Sequence, residues 1–393
     1  MDKPKKKLIL GIDAHNIRAG GGITHLAEIL SVAVPLNYGF EKVIVWSGKK
    51  TLSKLPQREW LTHQSHPYLD KWLLYRLIWF FFIRKKNLIK EKCDILFVPG
   101  GSDFSSFHPL VTMSQNLLPF EPTEIKRYGL GLKYLKFILL KYTQAVTFRK
   151  ADGIIFLTPY AEQSVLREIG NIKGKRKVVP HGINPKFFMP PSKKKFRLPD
   201  SFSKSSPCKL IYVSIIEIYK HQWHVVKAVE YLRNEGYHIS LELVGPPGPG
   251  SSLLNKAIAD LNGDISWLNY MGAVPYDLIQ ELYNQADIGI FASSCETFGQ
   301  IVSEGMAASL PMTCSSLSSM RDILGPFAVY FNPEEPLEIA EAIKTLVESS
   351  SLRKKNAELA YEVAEKYTWK VSADSSFEFF REVYDLYKTQ NYV

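Results

Sequence analysis

The stretch ADIGIFASSCETFGQIVSEGMAASLP, Ala286 to Pro311, constrains this chain more than any other. Between Asp287 and Ala292 the run IGIFA is short and wholly apolar, the pattern of a strand buried in a parallel sheet. Ser293, Ser294 and Cys295 form a small polar turn, Glu296 follows, and an amphipathic helix pattern starts at about Thr297 to Gly299. Strand, loop and helix start in that order set Glu296 at the carboxyl end of a strand, where open α/β sheets bind ligands. The first N–H groups of a helix lack partners inside it, and the helix dipole favours anions there. Those of Thr297, Phe298 and Gly299 can therefore face a phosphate or a sugar oxygen. Glu304 lies two turns on, and helical side chains lean toward the N-terminus, which aims its carboxylate back at the same pocket. A solvated helix start, where Glu is common, is the rival explanation.

A chain of 393 residues exceeds one ordinary core and implies two domains. Apolar residues make up 46% and charged residues 22%, as in globular proteins. The formal charge of +10 favours anionic partners such as nucleotides, phosphorylated lipids or an anionic membrane surface. Nucleic acid fits poorly, because the basic residues are dispersed and no RNA or DNA module is present. Cys93, Cys208, Cys295 and Cys314 show no CxxC or Cys/His ligand spacing, so a reduced, cytoplasmic setting is expected. The start, MDKPKKKLILGI, is basic, but its apolar part is too short for a secretory signal. No apolar stretch reaches the ~18 residues of a membrane span.

In the first half, Lys7 to Ile12 reads as a strand, Asp13 to Gly22 as a loop and Ile23 to Leu36 as a helix. Gly20, Gly21 and Gly22 allow positive φ and close approach to a ligand, without the G-x-G-x-x-G of a dinucleotide site. A flexible turn is the alternative. Arg18, Thr24 and His25 border this loop. Further strands are expected at Lys42 to Trp46, Asp94 to Val98, from Val111, and at Asp152 to Thr158. Tyr68 to Lys86, YLDKWLLYRLIWFFFIRKK, has an apolar centre between cations. It is either a helix dipping into a membrane surface or a core helix covering the sheet. Leu130 to Arg149 is a long helix that either flanks a groove or is buried. Pro185 to Pro207, rich in Pro, Lys and Ser, reads as an interdomain linker with a solvated KKK run. Strand and helix patterns then alternate again, from Lys209 to Ser214 onward, ending in an amphipathic helix within Tyr367 to Tyr387.

Glu296 and Glu304 have seven residues between them. With the flanking strand, the TFG triplet and the small-residue helix EGMAASLP, they resemble the E-x7-E signature of retaining GT-B glycosyltransferases. The resemblance is to the GT4-type, or group 1, family, and YKHQ, Tyr219 to Gln222, looks like a subgroup of bacterial polysaccharide and lipopolysaccharide transferases. KVVPHGIN, Lys177 to Asn184, is similar to the strand end that closes the first domain in that family. The resemblance implies an α/β GT-B fold, two Rossmann-like domains facing across a cleft. Their bounds would be 1–185 and 208–370, with a linker at 186–207 and a C-terminal helix, 371–393, crossing back to the first domain. It implies a nucleotide-sugar donor and a saccharide or lipid-linked saccharide acceptor, with no cofactor, in cell-surface glycan synthesis. The setting would be cytoplasmic, with peripheral contact at the inner face of an anionic membrane.

The same resemblance assigns roles. Glu296 would meet hydroxyls of the donor sugar. Lys220, with the N–H groups of Phe298 and Gly299, would hold the leaving diphosphate. Glu304 would accept hydrogen bonds from the ribose hydroxyls. Thr297, Ser214, Gly245, Gly272 and Val274 would border the nucleotide, and Tyr276 would stack on the base or only begin a helix. Gly20, Gly21, Gly22, Asn116 and Gly182 would line the cleft, with Gln115 or Asn116 where relatives carry a histidine. The family's clamp arginine is replaced by Ile215, which leaves Lys220 as half of the clamp. His221 would assist a phosphate or cap its helix. With no Asp-x-Asp in the chain, no essential divalent metal is expected. A sugar-nucleotide epimerase of the same fold, and a catalytically degenerate binding protein, are the rival functions.

Overall fold

The computed structural model describes residues 6–18 and 20–391. The first five residues of the basic start, Ala19 of the glycine loop, Tyr392 and Val393 lie outside them. Two compact units emerge. The first takes the described residues of Met1–Phe120, Leu132–Gly182 and Thr368–Val393, and the second takes Glu121–Gly131 and Ile183–Tyr367.

The first unit is built on β1 (Leu8–Asp13), β2 (Phe40–Trp46), β3 (Leu61–Gln64), β4 (Ile95–Val98), β5 (Leu110–Met113), β6 (Gly153–Phe156) and β7 (Lys175–Val178). These pair in parallel in the order β3-β2-β1-β4-β5-β6-β7. The central strands read LILGID, ILFV, LVTM and GIIF. Such unbroken apolar runs belong to a sheet covered on both faces. The edge strand β3, LTHQ, carries one buried apolar residue, so no period marked it in the sequence.

The second unit holds β8 (Cys208–Val213), β9 (Ile239–Val244), β10 (Leu268–Gly272), β11 (Ile288–Phe291), β12 (Met312–Ser315) and β13 (Val329–Phe331). Their parallel order is β10-β9-β8-β11-β12-β13. Both units are therefore Rossmann-like α/β layers, as the strand–helix alternation predicts.

The boundaries differ from the sequence reading in two places. Glu121–Gly131, expected in the first domain, groups with the second unit. The Pro-rich 183–207 segment is packed rather than free. Phe187 is fully buried, with its ring 5.4 Å from Tyr276 and 6.0 Å from Tyr283. Lys194 of the KKK run is not a solvated lysine: its Nζ donates to the Tyr283 carbonyl at 3.0 Å, and burial pushes its pKa down to about 8. The terminal helix Trp369–Asn391 belongs to the first unit, where the Phe380 ring sits 4.8 Å from that of Phe97.

Candidate active site

In an open parallel sheet the strand order reverses once. The loops leaving the two strands at that point part in opposite directions and open a crevice at the carboxyl ends. In the second unit the reversal lies between β8 and β11. Lys220 comes from the loop after β8, Glu296 from the loop after β11, and Lys220 Nζ donates to Glu296 Oε1. Ser293 Oγ donates to the same oxygen at 2.7 Å. The Glu296 N–H donates to Ser318 Oγ at 2.7 Å, and Ser318 Oγ donates to the Glu296 carbonyl at 3.0 Å. The Lys220 carbonyl accepts from the Tyr212 hydroxyl at 2.6 Å. The two side chains are 8% and 15% exposed, so the pair is shielded yet reachable. An anion can take the ammonium and a hydroxyl can take the carboxylate, with both already oriented.

Ser214, Gly245 and Gly272 meet at the ends of β8, β9 and β10. The Gly245 N–H donates to the Gly272 carbonyl at 2.8 Å. Gly245 has φ +146°, and a Cβ there would lie 2.0 Å from the Ser214 carbonyl oxygen, so only glycine fits. The result is a shelf of backbone groups beside Lys220. Val274 is half-buried, just ahead of the Tyr276–Gln285 helix.

Glu304 departs from expectation. It lies in the Gln300–Ala307 helix and is 1% exposed. Tyr276 donates its hydroxyl to Glu304 Oε1 at 2.6 Å, while Oε2 is buried with no hydrogen-bond partner. Burial pushes the carboxyl up to about 7, against the lowering effect of Tyr276, Gln300 and Lys186. Near neutrality it can therefore both donate and accept, rather than only accept. Its partners are distinct from those of Glu296. Tyr276 begins its helix and is tied to Glu304, so its hydroxyl is engaged.

The helix after β11 begins at Gln300, because Gly299 takes a left-handed N-cap conformation with φ +81°. Phe298 is buried with its ring 5.4 Å from Tyr367, so only its backbone can serve a ligand, and Thr297 is half-buried. His221 makes no capping bond. Its Nε2 meets Ser294 Oγ at 3.0 Å, which ties the β8 and β11 loops together. Burial lowers its pKa to about 3, so the ring is neutral and carries no charge toward a phosphate. Ile215 is half-exposed, with its carbonyl accepting from Gln222 Nε2 at 2.9 Å.

Sequence reasoning missed the excursion from the first half of the chain. Arg127 Nε donates to Glu124 at 2.9 Å and Nη1 to Glu334 at 3.2 Å. The Tyr128 hydroxyl donates to Glu217 at 3.0 Å. These bonds join Glu121–Gly131 to the loop after β8 and to the turn after β13. The motif EPTEIKRYG carried charge but no sign of its partners.

Residues 194–363 match the family of glycosyl transferases group 1. That segment, less than half of the chain, is similar to the group 1 glycosyl transferases. The serotype-specific mannosyltransferase WbdA of Escherichia coli is 30% identical over 167 residues, 42% of this chain and 20% of that protein. The O-antigen chain mannosyltransferase B of Escherichia coli is 25% identical over 103 residues, 26% of this chain and 27% of that protein. This chain thus spans about a fifth to a quarter of those relatives. Among solved structures, a sucrose-phosphate synthase from Thermosynechococcus elongatus has TM-score 0.70 at 15% identity, covering 96% of this chain and 100% of that one. Anabaena Alr3699/HepE in complex with UDP has TM-score 0.66 at 17% identity, covering 98% and 100%. The two Rossmann-like units thus share the GT-B fold of these solved glycosyltransferases.

The first unit's reversal lies between β1 and β4, and there the crevice is plugged. Arg84 donates through Nη1 to Asp13 Oδ2 and through Nη2 to Asp103 Oδ1, at 2.5 Å each. All three are buried. The guanidinium lies 4.1 Å from the centre of the Phe80 ring, and His15 Nδ1 is 2.7 Å from Asp13 Oδ1. Burial would raise the Asp13 carboxyl, but His15 and Arg84 together hold it well below the usual carboxylate range.

Of the expected cleft-loop residues, Gly20 caps the Gly21–Val32 helix with φ +70°. Gly21 is exposed. A Cβ on Gly22 would sit 3.2 Å from Gln115 Oε1. Gln115 Nε2 in turn lies 3.4 Å from Nδ1 of His25, a ring that burial keeps neutral by lowering its pKa to about 3. Asn116 is exposed, and its Oδ1 accepts from the Leu118 N–H at 3.2 Å and bends its own turn. Gln115 is the residue the structure brings to the glycines. Gly182 packs close against another stretch of backbone. A Cβ there would lie 2.1 Å from the Trp369 nitrogen, so this glycine lets two chain crossings pass each other.

Proposed function

We propose that the protein moves a sugar, with retention and without a divalent metal, from a nucleotide-sugar donor to a saccharide or lipid-linked saccharide acceptor. The setting is cell-surface glycan synthesis, at peripheral contact with an anionic membrane facing the cytoplasm. The observation that carries this reading is the Lys220–Glu296 pair at the β8/β11 reversal, beside the Ser214–Gly245–Gly272 shelf. On donor binding, Lys220 shifts to the diphosphate and stabilises the negative charge that grows as the C1–O bond breaks. Glu296, held by Ser293 and Ser318, accepts from the sugar hydroxyls. Glu304 exchanges hydrogen bonds with the ribose. The acceptor oxygen bonds to C1 on the face the diphosphate leaves, and its proton passes to the departing phosphate oxygen. Lys220 supplies the positive charge a metal would otherwise bring.

The mannosyltransferase relatives and the UDP-bound neighbour make mannose nucleotides and UDP-sugars the first donors to try. Thermal shift with each, followed by product analysis with and without chelator, tests the reading, because a bound donor raises stability with its affinity. Stabilisation by a nucleotide sugar and transfer of intact sugar in chelator support it. Release of interconverted donor without acceptor identifies an epimerase instead. The half-exposed Ile215 favours a second reading, a binding protein that has lost catalysis; detectable donor hydrolysis excludes it.

A further inference from the structure

We propose that the first unit carries a membrane-docking platform made of two segments, Leu73–Lys90 and the first half of the Leu132–Lys150 helix, with an anionic bilayer as its occupant. This rests on the peripheral contact proposed above and names the surface that makes it. Leu73–Lys90 is neither a core helix nor a free one. Its Trp79, Phe80, Arg84 and Leu88 are buried against the unit, while Leu73, Leu74, Phe81 and Phe82 stand outside, Phe82 at 69% exposure. The chain makes this possible by passing through a π-helical turn at Trp79–Ile83 between two α-helical pieces.

In the second segment none of residues 132–143 is buried. Leu132, Leu135, Leu139 and Tyr142 follow at steps of three and four, so they form one stripe. Leu132 is 87% and Leu139 63% exposed. The loop between β4 and β5 holds the two segments side by side. The Asp103 N–H donates to Thr147 Oγ1 at 2.7 Å, and Ser102 Oγ lies 3.3 Å from Thr143 Oγ1. Phe104, itself half-exposed, stacks on Phe81 at 6.4 Å.

The charges select the partner. Leu73–Lys90 and Leu132–Lys150 carry five Lys or Arg each and no Asp or Glu. Lys85, Lys86, Lys90, Lys133 and Lys136 are exposed. A soluble surface mixes both signs, and a protein interface has a mixed polar rim. Aromatic and leucine side chains bordered by exposed lysines, with one carboxylate, Glu168, on Lys141, match a bilayer instead, with the rings below the headgroups and the ammonium groups among anionic lipids.

The test is co-sedimentation of the full chain with phosphatidylglycerol/phosphatidylethanolamine vesicles and with phosphatidylcholine vesicles. The variants are Phe81→Ser/Phe82→Ser, Leu135→Gln/Leu139→Gln and, as a second-unit control, Leu253→Gln. The proposal expects salt-sensitive binding to the anionic vesicles, about a tenfold weaker partition for each double variant, and no change for the control. Circular dichroism should be unaltered throughout, because the replaced side chains are exposed. No vesicle binding by the parent chain overturns the peripheral contact and this surface together. Undiminished binding by both double variants leaves the contact standing and overturns the surface. A self-associated parent that the double variants dissociate, with vesicle binding unaltered, assigns the face to a second copy and likewise overturns it.

Discussion

The two sheet reversals of this protein are built alike and filled differently. At β8/β11 the crevice holds a lysine–glutamate pair that solvent still reaches. At β1/β4 it holds an arginine locked between two aspartates, with the side chains of the three at 1% exposure or less. Topology makes a crevice in both units; the side chains decide which one stays open to a ligand. A lysine is a compact charge on a flexible stem that can change partner, whereas a planar guanidinium fixed at both ends by carboxylates behaves as a structural bolt.

Removing the bolt should have the largest effect. Arg84→Met leaves Asp13 and Asp103 buried without their cation and should cost about 3–5 kcal/mol, seen as an early unfolding transition in urea. An unchanged transition would break the contrast. Next, Lys220→Ala should cut transfer by roughly 100- to 1,000-fold, while the unfolding midpoint moves by about 1 kcal/mol or less, since the freed Glu296 can reach water. A large loss of stability with normal turnover would make this pair a bolt too.

The two units should also answer pH with opposite signs. The Glu304 carboxyl keeps its proton to about 7 when folded and to 4.5 in its ordinary state. Stability therefore falls as pH rises from about 4.5 to 7 and stays lower above. Glu304→Gln removes that loss, so at pH 8 it should stabilise by up to ~3 kcal/mol, with no gain below pH 4.5 and with weaker donor binding. Asp13 works the other way: its folded pKa is depressed, so its contribution is present above its ordinary 3.8 and lost as pH falls below it. Thermal melts of parent and Glu304→Gln between pH 4 and 8 check the first sign, and melts of the parent from pH 4 down to 2 check the second. The smallest effects sharpen the picture near the glycine loop. Asn116→Ala should leave stability within about 0.5 kcal/mol and turnover unaltered. Gln115→Ala should raise the acceptor KM, and equal behaviour of the two in a kinetic assay would undo the reassignment to Gln115.

Much of the second unit was legible because its strands are continuous apolar runs and its site residues sit just past them. IGIFA followed by Glu296, and KLIYVS followed by Lys220, place both groups at strand ends by local pattern alone. The first unit was less legible where the pattern fails. β3 has no periodicity, and Tyr68–Lys86 admits membrane and core readings because its apolar residues surround the whole segment. The tertiary structure buries Trp79 and Phe80 and leaves Phe81 and Phe82 exposed. Asn116 and Gln115 are adjacent and chemically alike, so only backbone geometry separates the residue that bends its own turn from the one that meets Gly22 and His25.

The sequence by itself determined two α/β units, the positions of most strands and the loops that carry Lys220, Glu296 and Glu304, because hydrophobic period and turn chemistry act over a few residues. Only the tertiary structure decided what those groups touch. Lys220 finds Glu296 across 76 positions and Arg84 finds Asp13 across 71. Burial turns Glu304 into a carboxyl near neutrality, and Glu121–Gly131 leaves its own unit for the other. Ion pairing and desolvation depend on distance in space, and the order of residues along the chain does not encode that distance locally.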